Sequence, residues 1–334
     1  MGRKRQLYLD WIKVGGAGMI VMLHIMSNTM NAGGFYVSDF RIQVWYVLHK
    51  FLFTAVPLFI MATGAGFLST GRSCGYRDMG RHIARIVCCI LFFGTVFYAM
   101  RMLVERNPFG PADLVLAIFQ DNTWSHMWYL YRLLGLYFFM PLLWAFMNVS
   151  KMWEQVVFAG LLLFFASVYP YVCGMIGFIP ARILPVSGTW LFCAVAGGIL
   201  GRLPVEKMRK YRGLILAGSL AGLGGVVWEG VRQTVMSEEH PFLLLLAMSL
   251  FAWMKLWCDE KESFPGMGKL AGNMLGVYII HPVFIHICVK VLRFNPQLYL
   301  PVLTVPLTAA AIYALSVATV WFLRKIPIIR RYLL

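Results

Sequence analysis

Tyr8-Leu9-Asp10-Trp11-Ile12-Lys13-Val14-Gly15-Gly16-Ala17-Gly18-Met19-Ile20-Val21-Met22-Leu23-His24 opens the first long apolar stretch of the chain and carries two charges and a histidine within it. Over the eleven positions from Lys13 to His24 an α-helix turns roughly 1100°, three turns plus ~20°, so the two side chains share one face about 16 Å apart. The surrounding chain is 60% hydrophobic and 13% charged over 334 residues, with a mean hydropathy of +0.71. That composition lies outside the soluble globular range and describes a membrane protein. Ionisable groups at membrane depth are costly and line a cavity, a pairing site or a reaction path, so this stripe is the first place to look for chemistry.

Working outward, apolar runs lie at 14–30, 44–69, 83–103, 127–147, 155–176, 186–203, 213–235, 241–258, 270–292 and 301–323. Each is read as one crossing of a ~30 Å hydrocarbon core, which takes about 20 helical residues. The expectation is an all-α polytopic membrane protein with ten transmembrane helices. If both termini are cytoplasmic, the inner segments hold twenty Lys and Arg residues against seven outside, as the positive-inside rule expects. The net charge of +16 is then mostly topology, scattered over short loops, and a nucleic-acid partner is not expected. No loop is long enough to fold separately, so residues 1–334 are read as one integral-membrane domain. The basic-then-apolar N-terminus is interrupted by Asp10 and Lys13 and is read as a retained helix, not a cleaved signal.

The seven cysteines form no Cys-x-x-Cys pair and are read as packing residues, with no metal site. Residues 113–120 are amphipathic enough for a short surface helix. Gly197-Gly198-x-x-Gly201 and Gly218-x-x-x-Gly222 suit close helix packing. Phosphate-loop, dinucleotide and nucleophile-elbow signatures are missing.

Several residues have both a structural and a chemical reading. His24 is either a packing histidine or a base or nucleophile, and membrane depth favours the second. His281, in Tyr278-Ile279-Ile280-His281-Pro282, either donates to a carbonyl freed by Pro282 or shares a pocket with His24. His286, turned roughly 140° from His281, is not expected to join it. Arg81 and Arg85, one turn apart at the start of the third span, are either headgroup anchors or a phosphate site. Trp128 belongs to an aromatic belt or to a sugar site, and Arg132 and Glu229, inside apolar runs, call for a mutual ion pair or polar acceptors.

Taken in order, these motifs resemble the integral-membrane acyltransferase-3 family. The basic residue, ten residues and histidine of its first helix are matched by Lys13 and His24 after Tyr8-Leu9-Asp10. Further resemblance lies in Val56-Pro57-Leu58-Phe59-Ile60-Met61-Ala62-Thr63-Gly64, Arg81-His82-x-x-Arg85-Ile86, His126-Met127-Trp128-Tyr129-Leu130 and Leu275-Gly276-Val277-Tyr278-x-x-His281-Pro282. Lys13 stands where arginine is usual, His82 replaces an arginine, and Thr63 replaces a serine. The chain is most similar to compact stand-alone members that O-acetylate a surface polysaccharide.

The resemblance implies transfer of an acyl group, commonly acetyl, from cytoplasmic acyl-CoA to a hydroxyl of a cell-envelope glycan or lipid-linked sugar, in a bacterial cytoplasmic membrane. In that scheme acetyl-CoA is the donor and no metal takes part. His24 is the base or transient acyl carrier; Lys13, Asp10, Arg81, His82 and Arg85 hold the donor; Tyr278, His281, Trp128, Arg132 and Glu229 serve the acceptor side. Membrane lipids are the remaining partners, and homo-oligomerisation is left open. A transporter or flippase for a lipid-linked sugar or small polar solute would also line its path with His24, Lys13 and Glu229, although the halves show no inverted repeat.

Overall fold

The computed structural model describes residues 6–29, 40–70, 73–179, 188–232, 237–262 and 265–333. The described residues form α-helices, short π and 3-10 segments and connecting turns. In chain order these are α1 (Leu7–Thr29), α2 (Phe40–Phe53), α3 (Ala55–Leu68), α4 (Tyr76–Glu105), α5 (Pro111–Phe119), α6 (Trp128–Val149), α7 (Met152–Leu163) and α8 (Tyr169–Met175). They continue with α9 (Gly188–Arg202), α10 (Val205–Lys210), α11 (Arg212–Val231), α12 (Pro241–Cys258), α13 (Met267–Gly272), α14 (Met274–His286), α15 (Pro301–Leu323) and α16 (Pro327–Tyr332). The protein is an all-α polytopic membrane protein.

Nine spans among the described residues are long and apolar enough to cross a membrane. Two are composite: α2 and α3 join through Thr54, and α7 and α8 through the π segment Phe164–Val168. The tenth expected span, 186–203, appears as α9, whose approach lies outside the described residues. The surface helix expected at 113–120 is α5.

Two helices begin earlier than their apolar runs. α1 starts at Leu7, because Asp10 and Lys13 line an internal cavity and are not exposed to lipid. His24 therefore lies seventeen residues, about 26 Å, along a helix that ends five residues later. α4 starts at Tyr76, so Arg81 and Arg85 fall beyond its first turn. The dipole of α4, which fades within one turn, therefore acts little on them.

α1 touches α2, α3, α12, α13, α14 and α15 and forms the centre of the bundle. Lipid is as apolar as leucine, so helices in a membrane associate through close packing and hydrogen bonds, not through water exclusion. The glycines supply that closeness. A Cβ at Gly64 would lie 2.0 Å from the carbonyl oxygen of Ala194, and one at Gly197 would lie 2.0 Å from that of Met61, so α3 and α9 meet backbone to backbone. Gly222 does the same for α11 and α12 against Leu246, and Gly225 makes room for the ring of Phe242.

Two cations read from the sequence as loop charges instead cap helix ends. Lys255 Nζ donates to the carbonyls of Leu200, Gly201 and Leu203 at 2.7–2.9 Å, and Arg202 Nε donates to that of Leu68 at 2.7 Å. The orphan carbonyls at the ends of α9 and α3 are thereby satisfied.

Candidate active site

α1, α14 and the turn before α6 bring three histidines together. His24 Nδ1 lies 2.7 Å from His281 Nε2, with ring planes within 4° of parallel and centroids 4.9 Å apart. This is an edge-to-edge hydrogen bond. His281 Nδ1 lies 3.1 Å from the carbonyl oxygen of Val277, which can only accept, so Nδ1 carries the proton. In the uncharged pair His281 Nε2 is then the acceptor, His24 Nδ1 the donor, and His24 Nε2 keeps a free lone pair. His281 meets the carbonyl of Val277, not that of Tyr278 which Pro282 frees, and it lines none of the three cavities around these residues; its other nitrogen orients His24.

The third histidine buttresses the second. His126 is 2% exposed; its Nε2 donates to the carbonyl of Ile279 at 3.2 Å, and its own carbonyl accepts from the Tyr278 hydroxyl at 2.5 Å. These two bonds clamp α14 where Pro282 interrupts its hydrogen-bond ladder. Replacing Tyr278 with phenylalanine removes one bond of the clamp. We expect a stability loss of about 1 kcal/mol, read as a lower melting temperature of the purified protein in detergent.

Two cavities meet close to this triad. The larger, 840 Å³, is lined near its mouth by Gln6, Ser69, Thr70, His82 and Gly272, all at the end of the bundle where α1 begins, and deeper by Asp10, Lys13 and Thr63. The second, 340 Å³, is lined by His24, Ser27, Trp128, Ser237 and Glu238. Phe59, Tyr129 and Tyr278 line both. With ring centroids 5.0 Å apart for Tyr129 and Tyr278, and 6.4 Å for Phe59 and Tyr129, they form an aromatic septum between the cavities. A third space of 50 Å³, lined by His24, Asn28, His126, His286 and Lys290, has room for about one or two waters. His126 Nδ1 is buried without a protein hydrogen bond beside it.

The acyltransferase domain of the acyltransferase-3 family matches residues 6–324. The chain belongs to the acyltransferase-3 family. No curated protein and no solved structure matches it. A membrane acyltransferase needs a donor passage, a base and a place for the acceptor, and the family's ordered motifs surround the two cavities. Lys13 and His82 line the larger, and His24, Trp128 and Tyr278 line the smaller.

The remaining predicted residues sit further out. Arg81 is exposed on α4. Arg85 is half-buried, donates from Nε to the Leu333 carbonyl at 3.3 Å, and acts electrostatically on Tyr137, which lines the larger cavity. Arg132 and Glu229 do not pair with each other. Glu229 Oε1 accepts from the Tyr171 hydroxyl at 2.9 Å and lies 3.9 Å from His240 Nε2, while its carbonyl accepts from Lys50 Nζ at 2.6 Å. It lines none of the three cavities. Arg132 is exposed and faces Asp121, whose carboxyl is raised to about 6 by burial, with Arg132 pulling the other way. His286 makes its ring contact with Trp124, at 5.6 Å, and meets His24 only across the small cavity.

Sequence reasoning passed over Ser27, His49, Glu238 and the placing of His126. The Ser27 hydroxyl donates to the Leu23 carbonyl at 2.9 Å and accepts from His49 Nε2 at 2.8 Å. A signal existed for Ser27 alone, three residues beyond His24 and so one turn along the same face.

Proposed function

We propose that the protein transfers an acyl group, acetyl in the first instance, from acyl-CoA entering at the Lys13 end to a hydroxyl of a cell-envelope glycan or lipid-linked sugar. The observation that carries this reading is the position of His24, with its free Nε2, beside an aromatic septum dividing a long polar-mouthed cavity from a second chamber. The larger cavity suits an extended pantetheine arm. Lys13, Asp10 and His82 line its course, and Arg85 and Arg81 lie near its mouth for the phosphates. The mouth is cytoplasmic in this scheme, as the charge distribution of a bacterial inner-membrane protein with both ends inside requires.

The step balances without a further reactant. His24 Nε2 takes the proton of the acceptor hydroxyl as its oxygen attacks the thioester carbonyl; the carbon–sulfur bond breaks, and the proton passes from His24 to the departing thiolate. His281 keeps the imidazole in the working tautomer, as the carboxylate does in a serine hydrolase.

The test is incubation of purified protein in lipid with radiolabelled acetyl-CoA and a membrane extract. Label transfer with release of free CoA supports the reading. Absence of both, with CoA failing to raise the melting temperature, overturns it and favours transport. Lys13→Gln is expected to raise the KM for acetyl-CoA about tenfold with kcat largely kept, because one charge-assisted hydrogen bond to the pantetheine arm is lost.

A further inference from the structure

The second chamber carries more information than its place beside His24. Its volume of 340 Å³ is at the low end of the range of about 300–1,000 Å³ found for ligand pockets, room for one ring and not for a chain of them. Glu238 is the one charged side chain among the described residues that line it. It sits on a turn closed by the His240 N–H to Ser237 carbonyl bond at 3.2 Å, and the neighbouring Glu239 carbonyl accepts from the Ser167 hydroxyl. Both bonds fix the turn over the chamber.

The charge of the chamber is one-sided. Ser27 already donates to Leu23 and accepts from His49. Glu238 makes no hydrogen bond among the described residues, so its carboxylate and the His24 lone pair are open acceptors there, while Trp128, Tyr129 and Ser237, which also line the chamber, carry N–H and O–H donors. Trp128, Phe59 and Tyr129 supply flat apolar walls. Two acceptors, neighbouring hydroxyl and indole donors and an aromatic wall suit a molecule with several hydroxyls and an apolar ring face. A carboxylate there also repels anions, and like-charge juxtaposition is how binding sites reject wrong partners.

We infer that Glu238 selects the acceptor: the chamber takes one uncharged, ring-sized polyol unit, held by Glu238 through one hydroxyl while another faces His24, and turns away acceptors bearing a negative charge. This rests on the acyl-transfer reading and specifies its second substrate.

The experiment uses full-length protein in liposomes with radiolabelled acetyl-CoA and a matched pair of acceptors, octyl β-glucoside and octyl β-glucuronide, which differ only at C6, a hydroxymethyl group in one and a carboxylate in the other. For the wild type, kcat/KM is expected to be at least about tenfold higher for the glucoside, and Glu238→Gln is expected to cut that ratio about tenfold. The ratio does not depend on how much of a variant folds. Glu238→Ala should raise the KM for the glucoside while the KM for acetyl-CoA stays put. An unaltered ratio in Glu238→Gln, or equal use of both acceptors by the wild type, overturns the inference. Transfer to neither, with CoA still released when membrane extract is added, overturns it and leaves the acyl-transfer reading standing. No CoA release under any condition overturns both.

Discussion

His24→Ala is expected to slow acyl transfer about a thousandfold, within the 10²–10⁴ that a positioned base contributes. Single-turnover mixing of enzyme, radiolabelled acetyl-CoA and acceptor measures this directly. Product formed at an undiminished rate would remove His24 from the reaction. The histidine pair adds a sharper expectation. His281→Ala takes away the acceptor that holds the His24 tautomer, so it should lower kcat about a hundredfold while leaving the KM for acetyl-CoA near its starting value. Because the two residues work as one unit, the double variant should be no slower than His24→Ala alone. Additive losses would show that His281 acts independently. Acid quenching during the first turnover also separates the two chemistries open to an unprotonated imidazole, since label retained on wild-type protein would mark His24 as an acyl carrier and not only a base.

Gly64→Leu is expected to unfold the bundle, not merely to weaken it. Even a Cβ at this position meets the Ala194 carbonyl oxygen at 2.0 Å, and that neighbour is backbone in the middle of α9. Overpacking typically costs about 1–3 kcal/mol when side chains can shift. Here two helices must separate, and the reciprocal contact of Gly197 with Met61 is lost with the first. Cys193, 1% exposed and adjacent to Ala194, reports the event. Maleimide labelling of Cys193, mapped by peptide analysis, should be slow in the wild type and rapid in Gly64→Leu at the same temperature. Equal labelling would show that the crossing tolerates a side chain. Gly15→Leu serves as the control, since nothing lies within 4 Å of its added Cβ.

How much of this was legible in advance depends on the distance over which each residue acts. The spans follow from apolar run length, which is local, and the Lys13 to His24 stripe follows from helical periodicity alone. The start of α4 was misplaced: Arg81 and Arg85 look like a boundary in the sequence because hydropathy marks where an apolar run begins and not where the helix does. The depth shared by His24 and His281 was readable from their distance to the ends of two helices, but their hydrogen bond and the tautomer it sets required the bundle. Glu229 shows the opposite failure. A carboxylate in an apolar run invited a functional reading with Arg132, yet its partners Lys50, Tyr171 and His240 come from other helices and loops that no spacing rule connects. Glu238 carried no signal at all. It lies in an acidic loop, and only the fold turns it over a chamber.

The septum of Phe59, Tyr129 and Tyr278 has a consequence for the cell as well as for the reaction. A protein with an aqueous pocket reaching in from each end of the bundle is a short step from a pore, and an energised membrane loses its electrochemical gradient through any continuous file of water. Three rings stand where the two pockets share a wall, so the barrier to ion leakage at that level is as thin as an aromatic layer and as strong as its packing. Substitution of Tyr129 by glycine should therefore make liposomes carrying the protein conduct protons, a defect that no assay of the chemistry alone would reveal.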